Sequence, residues 1–126
     1  MTNLEKLIES KGITMTCKYG APDNDSFKDS DGWTCILHNS KKQMTVNFYM
    51  GRGHHGKEPR VADVLNSLLL DSSALDMDFE DFCGNFGYNT DSRKAEKIYK
   101  DCLKSGRKLQ SFLGDDFEEF IENNDY

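Results

Sequence analysis

The spacing of the apolar side chains changes near the middle of this chain. Three stretches between Ile13 and Met50 alternate apolar and polar residues, which is typical of β-strands with one buried face, and the polar residues 20–32 between the first two predict a loop. From Pro59 onward the apolar residues recur every three or four positions, as they do along one face of an α-helix. The order predicts an α+β fold, in which a small sheet is followed by helices.

The first half of the chain contains the signals of one helix and three strands. Thr2 and Glu5 have the spacing of a capping box, which predicts a short N-terminal helix. The alternating stretches are residues 13–19, 33–38 and 43–50, and a tight turn over residues 39–42 joins the last two. We therefore predict a three-stranded antiparallel meander, with Tyr19 on its buried face.

The second half predicts about four helices. Pro59 suits the first turn of the first, and Thr90 or Asp91 suits the N-cap of the long third helix. The apolar stripes span residues 61–69, 79–86, 95–113 and 117–121. At 126 residues the chain has the length of one domain, so we expect a single domain over 1–126, with helix and sheet in 1–58 and helices in 59–126.

Composition and the N-terminus exclude several classes of protein. Charged residues make up 30 % of the chain, and no apolar run is long enough to cross a bilayer, so an integral membrane protein is excluded. The first residues lack the basic and apolar segments of a secretory signal. We therefore expect an intracellular protein with no membrane partner.

The negative charge is concentrated toward the C-terminus. Residues 1–60 carry nine basic and seven acidic side chains, whereas residues 61–126 carry seven basic and fifteen acidic ones. After Lys108 there is no Lys or Arg, and the acidic residues proposed to contact a partner are Asp115, Asp116, Glu118, Glu119 and Glu122. A clustered acidic face can occupy a basic cleft that evolved for phosphates, although solubility alone also favours such a surface. Specific nucleic-acid binding is not expected from a chain of net charge −6.

A glycine-rich segment, residues 51–56, matches the spacing G-x-G-x-x-G of dinucleotide sites. Such a site requires a parallel strand after the helix, and everything downstream is predicted to be helical. We interpret the segment as a turn between sheet and helices. Its polar residues Arg52 and His54, with Lys57 just beyond, could form a second contact with a partner.

The four cysteines contain no C-x-x-C pair, which excludes a zinc ribbon and a thioredoxin-like motif. Each lies among apolar residues, so buried free thiols are the simpler interpretation. The alternative is a structural zinc site, with Cys17 and Cys35 on adjacent strands and His54 and His55 as further ligands. Nothing in the sequence requires a cofactor.

Catalytic motifs are equally sparse. No spacing places a base beside a thiol, and no nucleophile elbow occurs. We expect a protein that is not an enzyme, with a small hydrolase that depends on Cys or His as an alternative.

Three segments carry a resemblance to a known group. They are Met44-Thr45-Val46-x-Phe48-x-Met50-Gly51-x-Gly53-His54, Gly87-Tyr88-x-x-Asp91-Ser92-Arg93-Lys94-Ala95-Glu96 and Phe112-Leu113-Gly114. From Leu4 to Gly114 the chain resembles a group of small acidic proteins of phages, prophages and other mobile elements. Accessory proteins of that setting often resemble anti-defence factors, including anti-CRISPR proteins. The resemblance implies a host-cytoplasmic inhibitor whose partner is a host defence nuclease, with a CRISPR–Cas effector foremost, and it supplies no catalytic residues.

Overall fold

The structure is a computed structural model, and it describes residues 1–19, 31–50 and 58–125. The order of its elements confirms the α+β prediction: one helix, three strands and then four helices. They are α1 (Asn3–Ser10), β1 (Thr14–Tyr19), β2 (Asp31–His38), β3 (Gln43–Met50), α2 (Val61–Ser72), α3 (Phe79–Phe86), α4 (Arg93–Leu113) and α5 (Phe117–Glu122). Two 3-10 turns, Ser73–Asp76 and Gly114–Asp116, follow α2 and α4.

The chain divides into two compact units. The first contains residues 1–65 and 125–126, the second contains residues 66–124, and the boundary falls inside α2. The sequence predicted that the change from sheet to helices follows residue 58, which is seven residues before the boundary between the two units. That the whole chain forms one domain stays a prediction.

In the first unit, α1 begins with the predicted capping box. The Glu5 amide donates to the Thr2 hydroxyl at 3.1 Å, and the Thr2 amide donates to the Glu5 carboxylate at 3.0 Å. Asp125 completes this helix start, because its carboxylate accepts hydrogen bonds from the amides of Asn3 and Leu4 at 2.9 and 3.1 Å. These bonds satisfy donors that an α-helix leaves free in its first turn, and they hold the pKa of Asp125 below its usual value.

The three strands form the predicted antiparallel meander, in the order β1-β2-β3. The turn after β2 is built on Asn39, whose side-chain oxygen accepts from the amides of Lys41 and Lys42 at 2.9 and 2.7 Å. Alternation also predicted the buried face of β2, where Trp33, Cys35 and Leu37 are buried. The prediction was wrong for Tyr19, which is 59 % exposed. Tyr19 lies at the end of an edge strand, and its ring packs edge-on against that of Trp33.

The second unit is built around α4. Ser92 caps this helix, since its hydroxyl accepts from the Ala95 amide at 3.1 Å, so the predicted caps Thr90 and Asp91 were wrong. Gly87 and Gly114, which directly follow two of the predicted stripes, are the C-caps of α3 and α4. Among the residues that the structure describes, Phe120 of α5 is the largest side chain with less than 2 % exposure.

Inside α4, Gly106 is buried and permits a close contact. A Cβ atom at this position would lie 3.0 Å from both the Cα atom of Ser72 and the Cδ1 atom of Leu75. The glycine therefore lets α4 approach the backbone that follows α2 more closely than another residue could. No helix among the described residues is long and apolar enough to cross a membrane.

Candidate functional site

The acidic face predicted from the sequence is formed by the 3-10 turn Gly114–Asp116 together with α5. Phe117 and Phe120 of α5 are buried and anchor the segment. We define the acidic face by the five predicted carboxylates, of which four are exposed and Asp116 is half-buried. Its members are Asp115, Asp116, Glu118, Glu119 and Glu122.

Two of these carboxylates lie where the helix dipole favours negative charge. Glu118 and Glu119 lie in the first turn of α5, where negative charge is favourable. At the other end, the Asn123 side-chain amide donates to the Glu119 carbonyl at 2.8 Å, which satisfies one of the carbonyls left free where the helix ends. The helix dipole therefore favours Glu118 and Glu119, whereas Glu122, the last residue of α5, lies at the end where negative charge is unfavourable.

Ile121 is the residue of α5 that the sequence placed wrongly. Its spacing from Phe117 predicted that it would be buried with Phe117 and Phe120, but 42 % of Ile121 is exposed. A helix of six residues makes fewer than two turns, so an apolar stripe of three residues need not be covered along its whole width. The exposed part of Ile121 lies in a groove.

This groove has a volume of about 310 Å³. Its apolar surface comes from Leu69 of α2, Met77, and Phe117 and Ile121 of α5. Carboxylates of two segments also line it, Asp76 from the 3-10 turn and Glu118 from the acidic face. The acidic face therefore continues into an apolar depression.

A half-buried carboxylate lies elsewhere in the same unit. Asp71 of α2 is half-buried, and its Oδ1 atom accepts a hydrogen bond from the Cys102 thiol of α4, at 3.8 Å from Sγ to Oδ1. Burial raises the pKa of Asp71 to about 6, and the thiol hydrogen bond opposes this only in part. Burial, with the nearby Asp71 charge, raises the pKa of Cys102 to about 12, so this thiol stays protonated and is a poor nucleophile at neutral pH.

The raised pKa predicts that Asp71→Asn stabilises the protein at neutral pH. The folded state holds the Asp71 proton more tightly than the unfolded state does. The protonated Asp71 side chain therefore makes its full contribution to stability below pH 4, and this contribution is lost as the pH rises toward 6. The shift of about two pKa units corresponds to about 3 kcal/mol. Because Asp71 is partly exposed, we discount this to about 1 kcal/mol of added unfolding free energy at pH 7.5, with no gain near pH 4. Urea unfolding at the two pH values measures the difference.

Asp101→Asn is the matched control, since Asp101 is an exposed carboxylate of the same helix as Cys102. We expect it to change the unfolding free energy by less than about 0.5 kcal/mol at either pH. Equal gains from both substitutions would mean that general charge reduction, and not the burial of Asp71, stabilises the chain.

In the first unit, the structure brings together the two cysteines predicted to face each other. Cys17 of β1 and Cys35 of β2 are directly paired in the sheet, and their sulfur atoms lie 3.3 Å apart. Cys35 is buried and Cys17 is half-buried, and both are free thiols. Burial raises the pKa of both, that of Cys35 to about 12.

The rest of the predicted zinc site is not seen. Residues 51–57, with Arg52, His54, His55 and Lys57, lie outside the described residues. Within residues 1–19, 31–50 and 58–125, no three His, Cys, Asp or Glu side chains are grouped so that they could hold a metal ion.

No family model, curated protein or solved structure matches the chain.

Sequence reasoning missed the groove and the Asp71–Cys102 pair. A signal for Asp71 was present, because it follows the buried Val64 and Leu68 at the spacing of one helix face. No comparable signal existed for the groove. Its walls come from α2, the turn after it, α4 and α5, and spacing along one element does not predict how the elements meet.

Proposed function

We propose that this chain is a non-enzymatic anti-defence protein of a phage or other mobile element. It binds a host defence nuclease directly, with a CRISPR–Cas effector as the foremost partner, and inhibits it in the host cytoplasm. The observation that carries the proposal is the exposure of Asp115, Glu118, Glu119 and Glu122 on one short segment anchored by Phe117 and Phe120. The resemblance of the chain to small proteins of mobile elements suggests the setting.

The physical basis of inhibition is competition for a basic surface. A nuclease binds the phosphates of its nucleic acid with clustered Lys and Arg side chains, and that binding weakens steeply with salt. A protein that presents fixed carboxylates to the same cleft is steered toward it by long-range attraction. Direct binding of the chain to the nuclease, measured without nucleic acid, should therefore be tighter at low ionic strength, where the charges are less screened.

Charge reversal on the acidic face tests the proposal. We expect the triple variant Asp115→Lys, Glu118→Lys and Glu119→Lys to lose inhibition, because it replaces three attractive charges by three repulsive ones. The assay is the plaque count of a phage targeted by the host CRISPR–Cas system, in cells that express the chain. The native chain should restore plaques, and the variant should restore at least about tenfold fewer.

A second triple variant controls for net charge. Glu9→Lys, Asp91→Lys and Asp101→Lys change the charge by the same amount at exposed positions that are not members of the acidic face. We expect this protein to inhibit as the native chain does. Circular dichroism and thermal melting establish that both variants fold. Full inhibition by a folded acidic-face variant would show that the electrostatic proposal is wrong.

The 3.3 Å separation of the Cys17 and Cys35 sulfur atoms favours one alternative, a zinc-stabilised interaction module of another phage process. Two thiolates on neighbouring strands can supply half of a tetrahedral zinc site, and His54 and His55 are the proposed remaining ligands. Elemental analysis distinguishes the two functions: one equivalent of zinc that is lost in Cys17→Ser supports the module. That Arg52, His54 and Lys57 form a second contact with the partner stays a prediction in either case.

A further inference from the structure

The groove beside the acidic face has the chemistry of a side-chain receptor. Four of its lining residues, Leu69, Met77, Phe117 and Ile121, provide apolar surface. The hydroxyl of Ser72, which also lines it, already donates to the Leu69 carbonyl at 2.6 Å. Because the Ser72 hydroxyl already forms this hydrogen bond, this part of the groove offers a ligand mainly apolar contact.

The polar groups that are available there are mainly acidic. Asp76 and Glu118 line the groove from different segments, and both are exposed. Neither forms an ion pair with any residue in the described part of the chain, and no Lys or Arg of that part lines the groove. Gln110 of α4 adds a neutral amide. The groove thus combines an apolar surface with two carboxylates that pair with no Lys or Arg of residues 1–19, 31–50 and 58–125.

From this combination we infer that the groove binds an arginine side chain of the partner protein. The inference rests on the proposed function and names the group that its acidic face would recognise. The aliphatic stem of arginine packs on Met77 and Ile121, and its guanidinium meets Asp76 and Glu118. A guanidinium is weakly hydrated and presents several donors in one plane, which suits two carboxylates beside an apolar surface better than an ammonium does.

Size and charge both favour this occupant. The volume of about 310 Å³ is at the lower end of ligand pockets, which span about 300–1,000 Å³, and so fits one side chain. A purely apolar side chain would displace water from the carboxylates without replacing their hydrogen bonds, which is unfavourable. The partner surface complementary to this groove is therefore a projecting arginine in a basic region.

The test is a titration of the full chain with short blocked peptides, followed by NMR of the methyl groups of Met77 and Ile121. The peptides are acetyl-Ser-Gly-Arg-Gly-Ser-amide and two versions with citrulline or norleucine in place of arginine. We expect the arginine peptide to bind with a Kd on the order of 1 mM, because a single side chain makes few contacts. Citrulline has nearly the same shape without the charge, so we expect at least about fivefold weaker binding.

Paired variants locate the interaction in the groove. Asp76→Asn with Glu118→Gln removes both groove carboxylates, and we expect about tenfold weaker binding of the arginine peptide. Asp115→Asn with Glu122→Gln removes the same charge from residues outside the groove lining and should change binding by less than about twofold. All four substitutions keep the size of the side chain.

Three outcomes would overturn the inference: no shift of the Met77 and Ile121 methyl groups, equal binding of the norleucine peptide, or equal loss in the two paired variants. None of these bears on inhibition, which the charge-reversal assay measures separately. If arginine binds in the groove but the native chain restores no plaques, the groove binds arginine and the proposed function fails; if charge reversal leaves inhibition intact, only the acidic-face account of inhibition fails.

Discussion

Replacing Gly106 by leucine should lower the free energy of unfolding by about 3 kcal/mol, the upper end of the range for overpacked cores. A Cβ atom alone would lie 3.0 Å from the Ser72 Cα atom and 3.0 Å from the Leu75 Cδ1 atom. One of these neighbours belongs to the backbone, which cannot rotate away as a side chain can. A gain of about 1 kcal/mol from removing glycine from a helix offsets only part of this cost.

Gly84→Leu is the matched control for this prediction. Gly84 lies within α3, is exposed, and has no atom within 4 Å of where its Cβ would be. We therefore expect Gly84→Leu to leave stability unchanged or to raise it by up to about 1 kcal/mol. Urea denaturation of both variants measures the difference. If Gly106→Leu behaved like Gly84→Leu, the close approach of α4 to Ser72 would be contradicted.

Truncation of Phe120 to alanine should cost about 4 kcal/mol, because it removes a fully buried ring and leaves a cavity. Phe120 has an exposed fraction of 0 %. Since α5 has only six residues, its helical conformation depends on packing rather than on its own hydrogen bonds. We therefore expect Phe120→Ala to release α5 and to abolish inhibition together with stability.

Ile121→Ala provides the comparison for Phe120→Ala. It truncates the next residue of the same helix, which is 42 % exposed, and should cost about 1 kcal/mol or less. The measurements are urea denaturation and the amide NMR shifts of residues 117–122, which should move toward random-coil values only in Phe120→Ala. Equal effects of the two substitutions would mean that Phe120 does not anchor the acidic face.

The elements of this fold were predictable because each is encoded by neighbours in the sequence. Alternation over the strands and the three-to-four spacing after Pro59 predicted their type and order. The capping box of Thr2 and Glu5 predicted where α1 begins. The start of α4 was missed because consecutive residues there are all good caps, and only the backbone conformation selects Ser92.

The candidate site was predictable only in part. The acidic face could be predicted because its carboxylates are contiguous and no base follows Lys108. Asp125 looked like part of the same acidic run, but its carboxylate caps α1, more than 120 residues earlier in the chain. A contact between residues so far apart in the chain leaves no signal in the local sequence.

The sequence by itself determined the α+β class, the order of the elements and the location of the excess negative charge. These depend on local spacing and composition, which need no knowledge of how elements meet. The sequence offered the Cys17–Cys35 pair only as an alternative, and the strand register brings their sulfur atoms to 3.3 Å. Only the tertiary structure decided that the half-buried Asp71 packs against Cys102 and that Ile121 lines a groove with Asp76. Each of these depends on strand register or on the approach of one helix to another, and packing sets those after the local elements have formed.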